Sequence, residues 1–245
     1  MSILLILLAA LCGLALGVLS GRLAIAYDRA LAAGSEPDAS TLLRALPAAA
    51  RRAAATGKTG ATPGHGTISA RGARAYMLAG ALILGAAWSW ACLWHGWSAH
   101  FLFLALACTL MCALAQIDWR TGLLPDALNY PLLALGLGAA AWQVSGIPLP
   151  AAIQGALLGY GFLWLLTWLF KIIRQVEGMG RGDFKLAAAI GACGGSYDLV
   201  TVLFLASLGG VLFGMAHQRT WRPTGAYPFG PFLAGAGMLV LLSGG

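Results

Sequence analysis

The 245-residue chain is 60% hydrophobic and only 9% charged, with a mean hydropathy of +0.81. So little charge cannot cover the surface of a water-soluble domain, so the composition points to an all-α polytopic membrane protein. The net charge of +7 does not indicate a nucleic-acid partner, because the fifteen Lys and Arg residues fall between apolar runs, where they report topology.

The first apolar run, Ile3 to Leu19, is long enough to cross a bilayer core. Arg22 follows it and no basic stretch precedes it, which is wrong for a cleaved signal peptide. It is read as a retained helix whose N-terminus is outside the cytoplasm. Gly13, Gly17 and Gly21 share one helical face and would let another helix approach closely. Residues 22–75 change character: they hold eight of the fifteen basic residues, runs of Ala, and a Gly/Thr/Pro-rich patch from Thr56 to Thr67. Ser40 to Leu46 could lie on the membrane as a short amphipathic helix, and the rest reads as a linker without a catalytic constellation. His65, alone among glycines, is not read as functional.

From Tyr76 onward the spans follow closely: Tyr76–Trp94, Phe101–Ile117, Asn129–Trp142, Ala151–Phe170, Phe184–Gly194, Leu199–Ala216 and Phe229–Leu242. The turn from His95 to His100 reads as an interfacial aromatic belt, not a metal site. Cys12, Cys92, Cys108, Cys112 and Cys193 form no CxxC pair and are read as packing residues, neither disulfides nor zinc ligands. No metal is expected.

Counting the first helix gives about eight transmembrane helices with both termini periplasmic. All fifteen basic residues then fall on one side, the cytoplasmic one. The lipid bilayer is the first expected partner.

Eight acidic residues occur in the chain, and two of them, Asp118 and Asp183, sit at the ends of apolar runs. An acid at the lip of a membrane helix is costly to desolvate and is a functional candidate by default. The predicted topology puts both at the cytoplasmic face. Two carboxylates a few Å apart would share a proton and titrate as a pair. One could then act as general base on a water while the other protonates the departing group. Gly178, Gly180 and Gly182 precede Asp183 and leave backbone uncovered, so an extended peptide could pair there. The alternatives are structural or ionic: Asp183 as a helix cap, Asp126 as a cap after Pro125, Asp118 paired with Arg120, or both acids as the relay of an ion-coupled transporter.

The stretch Gly178-Met179-Gly180-Arg181-Gly182-Asp183-Phe184-Lys185 closely resembles the second active-site motif of bacterial type IV prepilin peptidases, and contains a GxGD element. Ile117-Asp118, with Leu123-Leu124-Pro125-Asp126 and Pro131-Leu132, is similar to that family's first motif. Tyr227-Pro228-Phe229-Gly230-Pro231-Phe232 is similar to its C-terminal signature.

The resemblance implies an aspartic endopeptidase of the bacterial inner membrane, related in mechanism to presenilin and signal peptide peptidase, with Asp118 and Asp183 catalytic. Gly178, Gly180, Gly182 and Lys185 would lie against the substrate. Substrates would be type IV prepilins or type II secretion pseudopilins, cut after a short basic leader at the cytoplasmic membrane face. The peptidase needs no cofactor.

Members that also N-methylate the new N-terminus use S-adenosylmethionine and carry two CxxC pairs in the first cytoplasmic loop. This chain has none, and Tyr76 stands where a glutamate is expected. The resemblance therefore leaves methylation open. It divides the chain into a first helix (1–21), a loop degenerate relative to the cysteine-containing region (22–75) and a peptidase domain (76–245). A non-proteolytic pilus-assembly scaffold would keep the fold without needing both acids. A transporter would be expected to show internal repeats, and none is evident.

Overall fold

The computed structural model describes residues 3–32, 70–174, 180–218 and 228–244. Gly178, His65, Tyr227 and the Ser40–Leu46 segment lie outside the described residues. Among the described residues the chain is all helical: α1 (Ile3–Ala32), α2 (Ala70–His95), α3 (Ala99–Thr121), α4 (Asp126–Ala141), α5 (Leu149–Arg174), α6 (Arg181–Gln218) and α7 (Gly230–Ser243). Five of these (α1, α2, α3, α5 and α6) contain stretches long and apolar enough to cross a membrane. This is a polytopic membrane protein.

Small residues set the packing. Gly17 of α1 lies against Gly80 and Ala81 of α2, and Gly13 lies against Leu84 and Gly85, so the two helices run antiparallel in close contact. The glycine face predicted from the four-residue spacing is thus a helix–helix seam. Gly155 of α5 meets Gly191 of α6, and Gly159 meets Ala187, a second antiparallel seam. Gly136 of α4 seats on Ala192 and Cys193 of α6. The core between these layers is continuous, with Leu104, Met111 and Leu114 of α3, Leu186 and Ile190 of α6, and Leu233 of α7 all buried.

α1 continues past Leu19 to Ala32, where the sequence predicted a linker. Leu23, Ala24 and Tyr27 are buried against Ile117 of α3, and Asp28 forms an ion pair with Arg120. That apolar contact carries the helix through Arg22.

α6 is the element that departs most from a simple rod. A straight helix of its 38 residues would run about 57 Å, against about 30 Å of bilayer core. Gly195, at φ 80° and ψ −176°, interrupts it. Just beyond that residue Asp198 lies against Gly244 after α7. Further on, the Phe213 ring is 5.3 Å from Trp119 at the end of α3 and 5.5 Å from Phe232 at the start of α7. The second half of α6 therefore runs back toward the end at which the first half began.

Two ends of the bundle result. Asp28, Tyr76, Asp118, Asp183 and Gly230 lie at one. The Ile3 end of α1, the His95–Ser98 turn, Gly195 and Ser243 lie at the other, where the His95 and His100 rings stand 4.4 Å apart and Nδ1 of His100 is 2.6 Å from the Val144 carbonyl.

Candidate active site

α3 is capped at its start by Ser98, whose Oγ accepts the Phe101 N–H at 3.1 Å, and at its end by Gly122, whose φ of 64° places it in the left-handed region. The Gly122 amide donates to the Asp118 carbonyl at 2.8 Å. Helix termination of this kind fixes the last turn, and Asp118 is in that turn. Its carboxyl is buried, at 4% exposure, despite standing near the helix end.

Asp183 stands in the first turn of α6, three residues after Gly180. It is not the cap residue: Gly180 precedes the helix, and the Asp183 carboxyl turns back toward the Gly180 amide, as the third residue of a capping box does. It is 8% exposed.

The chain segments between and after these helices bring the two acids together. Leu124, in the α3–α4 loop, packs on Gly182, where an added Cβ would lie 2.7 Å from the leucine Cβ. The same leucine reaches Gly230 at the start of α7, and the Gly230 amide faces the Asp118 carboxyl. Leu124 thus stands between the residue before Asp183 and the glycine that faces Asp118, which puts the two acids in one buried cluster. Each also keeps one buried oxygen, Oδ2 of Asp118 and Oδ1 of Asp183, with no protein partner among the described residues. Buried carboxylate oxygens are costly to leave unsatisfied, so they mark a place for water or a bound polar group.

The other predicted residues separate. Gly180 is exposed, and Gly182 is half-buried against Leu124. The Lys185 ammonium is engaged by Asp126, 2.7 and 2.6 Å from its two oxygens, and lies 5.4 Å from the centre of the Tyr130 ring. Asp126 is therefore not the expected cap: Pro125 occupies the cap position without a side-chain bond, and Asp126 is already in the first turn of α4. Nor does Asp118 pair with Arg120, whose partner is Asp28.

Sequence reasoning missed Gly230 as a site residue; its place within Pro228–Phe232 was the available signal. It also missed Asn129, fully buried on α4 with neither amide atom partnered among the described residues. No sequence signal marks that asparagine.

Both acids lie inside the stretch 105–215, which matches the type IV leader peptidase family. Similar proteins carry a matching name. A protein of Burkholderia pseudomallei strain 1026b named prepilin leader peptidase/N-methyltransferase is 43% identical over 141 residues, covering 56% of this chain and 45% of its own length. An identically named protein of Xanthomonas campestris is 39% identical over 172 residues, covering 69% and 57%. Another, from Escherichia coli K12, is 44% identical over 144 residues, covering 58% and 62%. The chain spans about half the length of the curated relatives it matches. No solved structure matches it. Helices α1, α2 and α7 lie outside the leader peptidase stretch, yet α7 supplies the glycine facing Asp118.

Proposed function

We propose that this chain is a membrane-embedded aspartic endopeptidase that removes the short basic leader from type IV prepilins or type II secretion pseudopilins. The observation that carries the reading is the pair Asp118 and Asp183, both buried at one end of the bundle beside Leu124, each with a carboxylate oxygen that has no partner among the described residues. In the proposed reaction one aspartate, ionised, takes a proton from a water held between the two. The water oxygen bonds to the scissile carbonyl carbon. The other aspartate, protonated, gives its proton to the departing amide nitrogen as the C–N bond breaks. A pair with separate oxygens free can do both, and neither role requires a covalent intermediate.

The site faces the cytoplasm of the bacterial inner membrane in this proposal. Its support is the charge distribution: Arg29, Arg74, Arg120, Lys171, Arg181 and Lys185 all belong to helix ends on the Asp118 side. With α6 crossing twice about Gly195, the chain makes eight spans, and both termini are periplasmic. Methylation with S-adenosylmethionine is a separable second activity. The relatives' name includes it, and the four-cysteine segment tied to it by resemblance has no counterpart in this sequence.

The test is cleavage of a purified prepilin in detergent by wild type, Asp118→Asn and Asp183→Asn. Asn keeps the size and removes the proton chemistry. The proposal requires that wild type cut and that both folded variants lose at least about a thousandfold, the scale of losing a catalytic acid or base. Wild-type rates in either variant would sink the two-aspartate mechanism. Product mass with S-adenosylmethionine supplied decides whether a methyl group is added.

A further inference from the structure

The segment that carries Asp118 is held from helices outside the leader peptidase stretch. Tyr76 of α2 donates its O–H to the Gln116 carbonyl, two residues before Asp118. Arg120, two residues after it, is ion-paired with Asp28 of α1, the two side chains being 10% and 14% exposed. The guanidinium also lies over the Tyr76 ring, 5.8 Å from its centre. Between these anchors Ile117 is fully buried against Leu23, Ala24 and Tyr27 of α1. One turn earlier, Ser20 of α1 donates to the Gln116 side chain at 3.2 Å. The last turn of α3 is thus fixed on both sides of the aspartate by two other helices.

From this arrangement we propose that Asp28 and Tyr76 are positioning residues for Asp118. Acting through Arg120 and the Gln116 carbonyl, they set the height and rotation of the last turn of α3 opposite Asp183. The inference rests on the peptidase reading for its kinetic consequence, but the geometric claim stands apart from it. The reason such a strut is needed is local. Asp118 lies within four residues of the end of its helix, where backbone bonds are incomplete and ends fray. The Gly122 cap closes the turn within its own helix, and contacts from other helices are what set that turn relative to the rest of the bundle. An ion pair this far removed from water resists screening, and Arg120 has no second acid among the described residues. Nε and Nη1 of Arg120 are buried without partners among those residues, so its orientation depends on Asp28 and the Tyr76 ring.

Four variants of the full chain in detergent test this: Asp28→Asn, Asp28→Glu, Tyr76→Phe, and the doubly neutral Asp28→Asn/Arg120→Gln. The double variant leaves no unpaired buried charge, so loss of fold is not built into it. Rates are taken on monodisperse protein. The expected result is a fall in kcat of about tenfold in Asp28→Asn and in the double variant, with KM within about twofold, because small misplacement of a reacting group acts on the chemical step. Tyr76→Phe lowers kcat in the same sense, and Asp28→Glu retains most of the rate. Wild-type kcat in both neutral variants overturns the proposal.

A second readout needs no catalysis. In Asp118→Cys/Asp183→Cys protein the two thiols are joined by a short bifunctional thiol reagent, and the joined peptides are counted by mass. Asp28→Asn should lower that yield severalfold. An unchanged yield overturns the strut. If wild type cuts no prepilin while the yield still falls, the peptidase reading has failed and the strut has not.

Discussion

A methyl group on Gly230 would stand 2.6 Å from Oδ2 of Asp118 and 2.9 Å from its Cγ. No carbon sits that close to a carboxylate without displacing it, and Leu124 Cδ1, 3.2 Å away, closes the other side. Gly230→Ala should therefore push the Asp118 carboxyl from its place while leaving α7 helical. Cleavage is expected to fall by about tenfold or more with the fold retained, since misplacement by about an ångström can cost a hundredfold. Gly161→Ala in α5 is the control, because nothing lies within 4 Å of its added Cβ. Equal rates in the two variants would show that the glycine is not needed for the acid's position.

The Lys185–Asp126 pair sits beside the dyad, yet it is predicted to matter little to the chemistry. Its side chains are 29% and 50% exposed, so water competes for both charges. Exposed pairs of this kind contribute about 0.2–1 kcal/mol. Asp126→Asn should leave kcat within about threefold of wild type, with any loss of stability easing as salt is raised for both proteins. A loss comparable to that of Asp118→Asn would make Asp126 part of the proton-transfer machinery and displace one of the two proposed aspartates.

How far the sequence foretold this arrangement depends on the range of the interaction. That Asp118 and Asp183 were the acids to follow was legible because an acid in an apolar chain is rare and both stand at the ends of hydrophobic runs; both are buried at one end of the bundle. The glycine seam of α1 was legible because its spacing is a property of one helix. The partner of Arg120 was not legible: the alternative considered was Asp118 two residues away, whereas the structure supplies Asp28 from 92 residues earlier in the chain. The same holds for Asp126, whose cap role looked complete locally until Lys185 arrived from α6. The extension of α1 past Arg22 was hidden because its cause, burial of Tyr27 against Ile117, belongs to another helix. Local rules saw single elements; side chains that bridge elements were beyond them.

Gly195 offers a test of the turn inside α6. Its φ of 80° with ψ near −176° is a region open almost solely to glycine. Space is not the constraint, because an added Cβ would meet only Ile147 Cδ1 at 3.7 Å and the Ala151 carbonyl at 3.9 Å, both ordinary contacts. Any penalty for Gly195→Ala is therefore conformational, about 1–3 kcal/mol for holding a side-chain-bearing residue there. The substitution also lies at the end of the bundle opposite Asp118 and Asp183. The expected outcome is a lower midpoint of thermal unfolding in detergent, with kcat per folded molecule close to wild type at temperatures where both proteins are folded. An unchanged midpoint would mean that α6 is not held in this conformation at Gly195, and with it would go the argument that the second half of the helix turns back toward the site. A normal midpoint combined with lost activity would instead tie the turn to the catalytic end through the α5–α6 seam at Gly155 and Gly191.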